Sequence, residues 1–236
     1  MVLTPLQENE LLSLIFSNNI INISGESGTG KTTLALYLVG NFLTSQRPYE
    51  HSCVWVQAND LFPKKRLFSL FSLSEEKLEY LKNNIYVIPE RRPISSYREQ
   101  AQLLQKLIDS ESILPPDLKC IVIDNISHHL RFELSTCSEI LNITNTIDSF
   151  FDELLLPLLL FCRRENIHLL LVHEVSFDID AEQQRPFLHK LYSRLDVLHI
   201  HLLKLFNSQK KKIRIISGEA QWVFFYMIEN SRFVWC

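Results

Sequence analysis

Glycine is scarce in this 236-residue sequence: only five occur, and Gly25, Gly28 and Gly30 fall in one short stretch. Gly40 and Gly218 stand alone, so a function that needs a second glycine-rich mobile loop is excluded. Cysteine offers no framework either. The five residues Cys53, Cys120, Cys137, Cys162 and Cys236 are odd in number and lack CxxC spacing, and three of them lie in apolar runs. They read as free thiols in a reducing, intracellular compartment. An excess of one charge is also missing. With a net charge of −3 there is no global basic signature, so contact with nucleic acid has to be local or shared with a partner. The most lipid-like run, Leu154 to Cys162, is followed by Arg163 and Arg164 and falls well short of the ~20 apolar residues of a membrane span. The first residues lack the basic-then-apolar order of a signal peptide. These absences predict a soluble protein of the cell interior, long enough for one large core.

Hydrophobic periodicity predicts alternating strands and helices. Ile20 to Ser24 reads as a buried strand and Lys31 to Leu43 as a helix. Cys53 to Gln57 and Ile85 to Ile88 follow as strands, with helices around Lys64 to Phe71, Glu75 to Asn83 and from Ser96. Lys119 to Asn125 and Ile167 to Val175 are further strands. Between them one long helical pattern runs from about Ser135 to Asn166, which Pro157 should kink or split. The tail reads as short strands with no helix between them. Such an order predicts an α/β fold: a mostly parallel twisted sheet flanked by helices, with antiparallel strands added at one edge. No linker or repeat divides it, so residues 1–236 are expected to form a single domain.

The glycine-bearing stretch carries the chemistry. Gly25-Glu26-Ser27-Gly28-Thr29-Gly30-Lys31-Thr32 matches GxxxxGK[ST] between a strand and a helix, and Gly25 to Thr33 is the stretch expected to cradle a nucleotide. Backbone N–H groups in such a loop curl around phosphates, and the helix N-terminus adds a favourable dipole. Lys31 would reach the β- and γ-phosphates of ATP, and the Thr32 hydroxyl would ligate Mg²⁺. Asp124, at the end of "CIVID", is placed to hold the metal's water shell beside Thr32. An aspartate opening a turn is the plainer account of that residue.

On these residues the chain resembles the RecA/RadA recombinase family, and within it the core-only, RadB-like recombinase paralogues. "GESGTGKTTLAL" carries most of the resemblance, "IVIDNISHHLRFEL" and "ENIHLLLVHEV" add to it, and the tail from "LHIHLLKL" to "FFYMIENS" resembles the family's closing strands. The resemblance implies a RecA-like P-loop ATPase core without the family's N-terminal helical DNA-binding domain. It implies ATP and Mg²⁺ as ligands, and a hetero-oligomer with recombinase or paralogue subunits, with single-stranded DNA as a further partner. The implied role is that of an accessory factor in homologous-recombination DNA repair, in the cytoplasm of an archaeon or the nucleus of a eukaryote.

Two departures bear on hydrolysis. Where the family's strand ends in a water-activating glutamate, this chain has Asn59 with Asp60 beside it. Where the family has Asn-Gln, it has His173 and Glu174. Asparagine accepts no proton as a carboxylate does, so hydrolysis is expected to be weak or absent, unless Asp60 or Glu174 serves as base in an active DNA-dependent ATPase. A regulatory or scaffold subunit without a DNA role is the third reading. Lys64-Lys65-Arg66 and Lys210-Lys211-Lys212 are the basic runs open to a DNA backbone, although short basic runs in loops are more often solvated turns. His128-His129 and His199/His201 lack the partners of a metal site. The helix expected over Leu3 to Phe16 packs on its own core or on a neighbouring subunit, and the aromatic strand around Trp222 to Tyr226 is expected at the sheet edge.

Overall fold

In the computed structural model, which describes residues 5–178, 183–229 and 232–236, one nine-stranded sheet organises the chain. Its central strands are β1 (Ile20–Gly25), β2 (Ser52–Gln57), β3 (Ile85–Ile88), β4 (Leu118–Asp124) and β5 (His168–His173). They are near-continuous apolar runs because both faces of the sheet are covered. Across the sheet they run parallel in the order β1-β5-β4-β2-β3. A single strand, β5, therefore separates β1 from β4, and their C-terminal ends point to the same edge.

Helices α1 (Pro5–Phe16), α2 (Lys31–Leu43), α3 (Lys64–Phe71) and α4 (Glu75–Asn84) cover one face. Leu11 and Ile15 of α1 are buried in this chain's own core, which settles the choice open in the sequence. The opposite face is covered by α5 (Tyr97–Ile108), α6 (His128–Thr136) and α8 (Leu156–Arg164), while α7 (Ile140–Ser149) buries none of its residues. Serine caps start two of these helices: Ser74 Oγ accepts from Lys77 N at 3.4 Å and Ser96 Oγ from Glu99 N at 3.2 Å.

Most of the long helix expected from Ser135 to Asn166 is present, running without a gap from Ile140 to Arg164. The chain leaves helical geometry between α6 and α7, and a π-turn over Phe150–Leu155 precedes Pro157. Proline has no N–H to donate to the preceding turn, so a wider turn there leaves that carbonyl free of a clash. After β5 a two-stranded hairpin, β6 (Val175–Asp178) and β7 (Gln183–Pro186), stands apart from the main sheet, followed by α9 (His189–Tyr192).

β8 (Leu198–Lys204) then pairs parallel to β1, and β9 (Lys211–Ser217), β10 (Ala220–Glu229) and β11 (Arg232–Trp235) extend the sheet antiparallel. The aromatic strand β10 is an edge only over its first half: Trp222 to Phe224 pair with β9 alone among the described residues, and β11 covers the strand from Tyr226 on. Its last residues pair with β11, where Phe233 and Trp235 pack onto Tyr37 of α2 and Tyr226 stacks on Phe233. Among the described residues, no helix is long and apolar enough to cross a membrane.

Candidate functional site

β1 delivers Gly25 to the C-terminal edge of the sheet, and the chain turns through Gly30 into α2, whose first residue is Lys31. Gly28 and Gly30 have φ of +77° and +98°, where an L side chain is strained. A β-carbon on Gly30 would also collide with Ile228 Cδ1 of β10. The loop is stitched from inside by Thr29 Oγ1, which donates to Glu26 O at 2.8 Å, and from outside by Tyr226 Oη, which donates to Thr29 O at 2.7 Å. Glu26 carries the nearby Lys204 ammonium at 3.6 Å.

The loop bounds a polar pocket of about 860 Å³. Of the residues expected to hold a nucleotide, Gly25, Ser27, Gly28, Gly30, Lys31, Thr32 and Thr33 line it; Thr29 is buried behind the loop, and Glu26 does not line the pocket. Lys31 Nζ folds back on the loop, donating to Gly25 O at 2.8 Å and Glu26 O at 3.1 Å. Burial depresses its pKa, and the charge of Asp124 opposes that shift. Thr32 Oγ1 donates to Asp124 Oδ2 at 2.7 Å, so β4 and α2 bring the expected pair of metal-binding residues together. Asp124 sits at the pocket floor, where burial raises its carboxyl to about 6 against the pull of Thr32 and Lys31.

Of the departures from the family pattern, Asn59, Asp60 and Glu174 line the pocket, whereas His173 is fully buried and does not. Asn59 Nδ2 donates to Asp60 Oδ2 at 2.9 Å, just past the end of β2. Glu174 is neither turned away nor free. Its carboxylate accepts from Asn125 Nδ2 at 3.1 Å and Arg131 Nη1 at 3.2 Å, with His128 Nδ1 at 3.3 Å, while its N–H donates to Ser127 Oγ at 3.1 Å. Arg131 of α6 is a site residue that the sequence reading missed; its spacing from Glu174 carries no local signal.

The basic runs divide on folding. Lys64 and Lys65 are exposed, but Arg66 turns into the pocket wall; Lys210 is exposed, but Lys211 lines the pocket and donates from Nζ to Gly28 O at 2.8 Å. Lys212, next on β9, does not line this pocket. The histidines take ordinary structural places. His129 meets Ala58 O at 2.9 Å, and His201 Nδ1 meets Ser24 Oγ at 2.6 Å with the His199 ring parallel to it. Among the described residues, no group of three or more His, Cys, Asp and Glu could hold a metal ion.

This geometry has relatives. The DNA repair protein RAD57 of Saccharomyces cerevisiae is 31% identical over 128 residues, covering 52% of this chain. The chain spans only 27% of that protein's length. The crystal structure of the RadB recombinase superposes with a TM-score of 0.64 at 20% identity, covering 91% of this chain and 89% of that one, so the two share the RecA-like fold. The AAA domain family matches residues 14–171, from the end of α1 through most of β5, and the chain belongs to that family.

Proposed function

We propose that this chain binds ATP with Mg²⁺ at the Gly25–Thr33 loop and acts as an accessory recombinase paralogue in homologous-recombination DNA repair, hydrolysing the nucleotide weakly or not at all. The donor set fits the cofactor. Two glycines hold positive φ, an ammonium lies over the loop, and a hydroxyl and a carboxylate stand 2.7 Å apart where a hard cation takes oxygen ligands. When bound, Mg²⁺ would neutralise phosphate charge; Thr32 would ligate it and Asp124 would hold its water shell.

One observation carries the weak-hydrolysis reading: the carboxylate of Glu174 is taken up by Arg131 and Asn125. Asn59 supplies no base at the end of β2, and the hydrogen bond from its amide engages the neighbouring Asp60. General-base assistance is typically worth about 10²–10⁴-fold, so turnover without it is slow. The role in repair rests on the resemblance to recombinases and on the likeness to a protein named for DNA repair. Recombinase or paralogue subunits are the proposed partners, and Lys64, Lys65, Lys210 and Lys212 are the cations left for single-stranded DNA. Residues 1–236 are read as one ATPase-core domain.

Nucleotide binding and turnover, measured with and without single-stranded DNA for the wild type and Lys31→Ala, test this reading. Binding lost in Lys31→Ala together with slow turnover supports it. Rapid DNA-stimulated hydrolysis refutes the weak-ATPase part, and no nucleotide binding by the wild type refutes the whole.

A further inference from the structure

We infer that Arg66 and Lys211 form a two-sided cationic rim that reads the terminal phosphate of a bound nucleoside triphosphate, both supplied by this chain itself. The inference rests on the nucleotide reading of the Gly25–Thr33 loop and adds how that site tells a triphosphate from a diphosphate.

The two residues reach the same pocket from opposite ends of the sheet order. Arg66 lies in the first turn of α3, after β2, and Lys211 opens β9. Both stand on anchored elements. α3 buries Leu67 and Phe71, the latter ring lying against Gly40 of α2. β9 is paired over its length with β8 and β10, and β10 is fastened to the loop by Tyr226. A cation on such a support loses less freedom when it meets a ligand than one on a mobile loop.

Their charges also lack carboxylate partners among the described residues. Arg131 is matched by Glu174 and Lys204 by Glu26. Among the described residues neither Arg66 nor Lys211 has a carboxylate within ion-pair distance, and Lys211 rests on a neutral carbonyl, that of Gly28. The charge of Arg66 is felt at Asp124 without an ion pair between them. Lys211 is partly desolvated, and the neighbouring Lys204 repels it, so a multiply charged anion in the pocket would relieve both costs. Just past the end of β5, the Glu174 carboxylate accepts hydrogen bonds from Arg131 and Asn125 and so stands as an acceptor rather than a donor toward a phosphate. Recognition of the outermost phosphate therefore falls to the rim together with Lys31, which also reaches the next phosphate inward, while the loop N–H groups hold the inner ones.

The experiment is titration calorimetry of the full chain with ATPγS and with ADP, each with Mg²⁺, checked by thermal unfolding of every variant. Arg66→Ala and Lys211→Ala should each weaken ATPγS about tenfold, the weight of one partly solvated charge-assisted hydrogen bond, and leave ADP within about twofold. Lys211→Arg should retain most of the preference, and Lys106→Ala, at an exposed position of α5, should change neither affinity. If Lys211→Ala does not fold, Lys211→Met keeps the aliphatic stem and is read in the same way. Equal losses for the two nucleotides, or no loss for either, overturn the rim alone. Failure of the wild type to bind either nucleotide overturns the site reading and the rim with it.

Discussion

Replacing Asp124 by asparagine should make the nucleotide-free protein more stable while abolishing its response to Mg²⁺-nucleotide. The carboxyl is raised from 3.8 to about 6, so the folded state binds a proton more tightly than the unfolded chain. Stability from this group is then greatest at acid pH and falls as pH rises from about 4 to 6, the reverse of a salt-bridged carboxylate. At 1.36 kcal/mol for each tenfold change, holding the ionised form costs about 3 kcal/mol at pH 7.5 and about half that at pH 5. Asparagine keeps an acceptor for the Thr32 hydroxyl, whose bond to Asp124 is 2.7 Å. Urea denaturation followed by circular dichroism in chelator should show Asp124→Asn ahead by about 2–3 kcal/mol at pH 7.5, with a clearly smaller lead at pH 5. ATP with Mg²⁺ should stabilise the wild type and not the variant. A variant no more stable than the wild type at pH 7.5, or a lead that does not shrink on acidification, would refute the claim that this carboxylate is held ionised at a cost.

Gly30→Ala should destabilise by about 2–4 kcal/mol and lose nucleotide binding, read by thermal unfolding and calorimetry, because it strains a φ of +98° and drives a methyl into Ile228. Glu174→Gln should tighten ATP about two- to tenfold without raising turnover, since it removes a negative charge beside the phosphates and leaves Arg131 available; weaker binding would count against the phosphate placement. In native protein a disulfide reagent should label Cys137 and Cys236 promptly. Cys53, Cys120 and Cys162 are buried, with the thiols of Cys53 and Cys162 pushed up by burial, and should react only after unfolding.

The parts of the site legible in the sequence are those whose cause is local. A glycine-punctuated turn between a strand and a helix is fixed by the residues that make it, and an acid after four apolar positions marks the end of a buried strand. The residues that decide what the pocket does with its ligand are not local. Arg131 meets Glu174 across 43 positions, Lys211 meets Gly28 across 183, and Tyr226 meets Thr29 across 197. In sequence each basic triplet looks like one solvated patch; on a helix or a strand neighbouring side chains diverge, so folding sends one member inward and leaves others outside. The C-terminal strands, whose pattern is the least specific in the chain, hold the most specific element from behind: Tyr226 and Ile228 brace the loop that Gly28 and Gly30 shape. A phosphate loop that depends on the last strands for its outer wall couples nucleotide binding to the edge of the sheet. Occupancy of the pocket and the order of β9 to β11 should therefore rise and fall together, a linkage that hydrogen exchange at Lys211 to Glu229 with and without ATP would reveal.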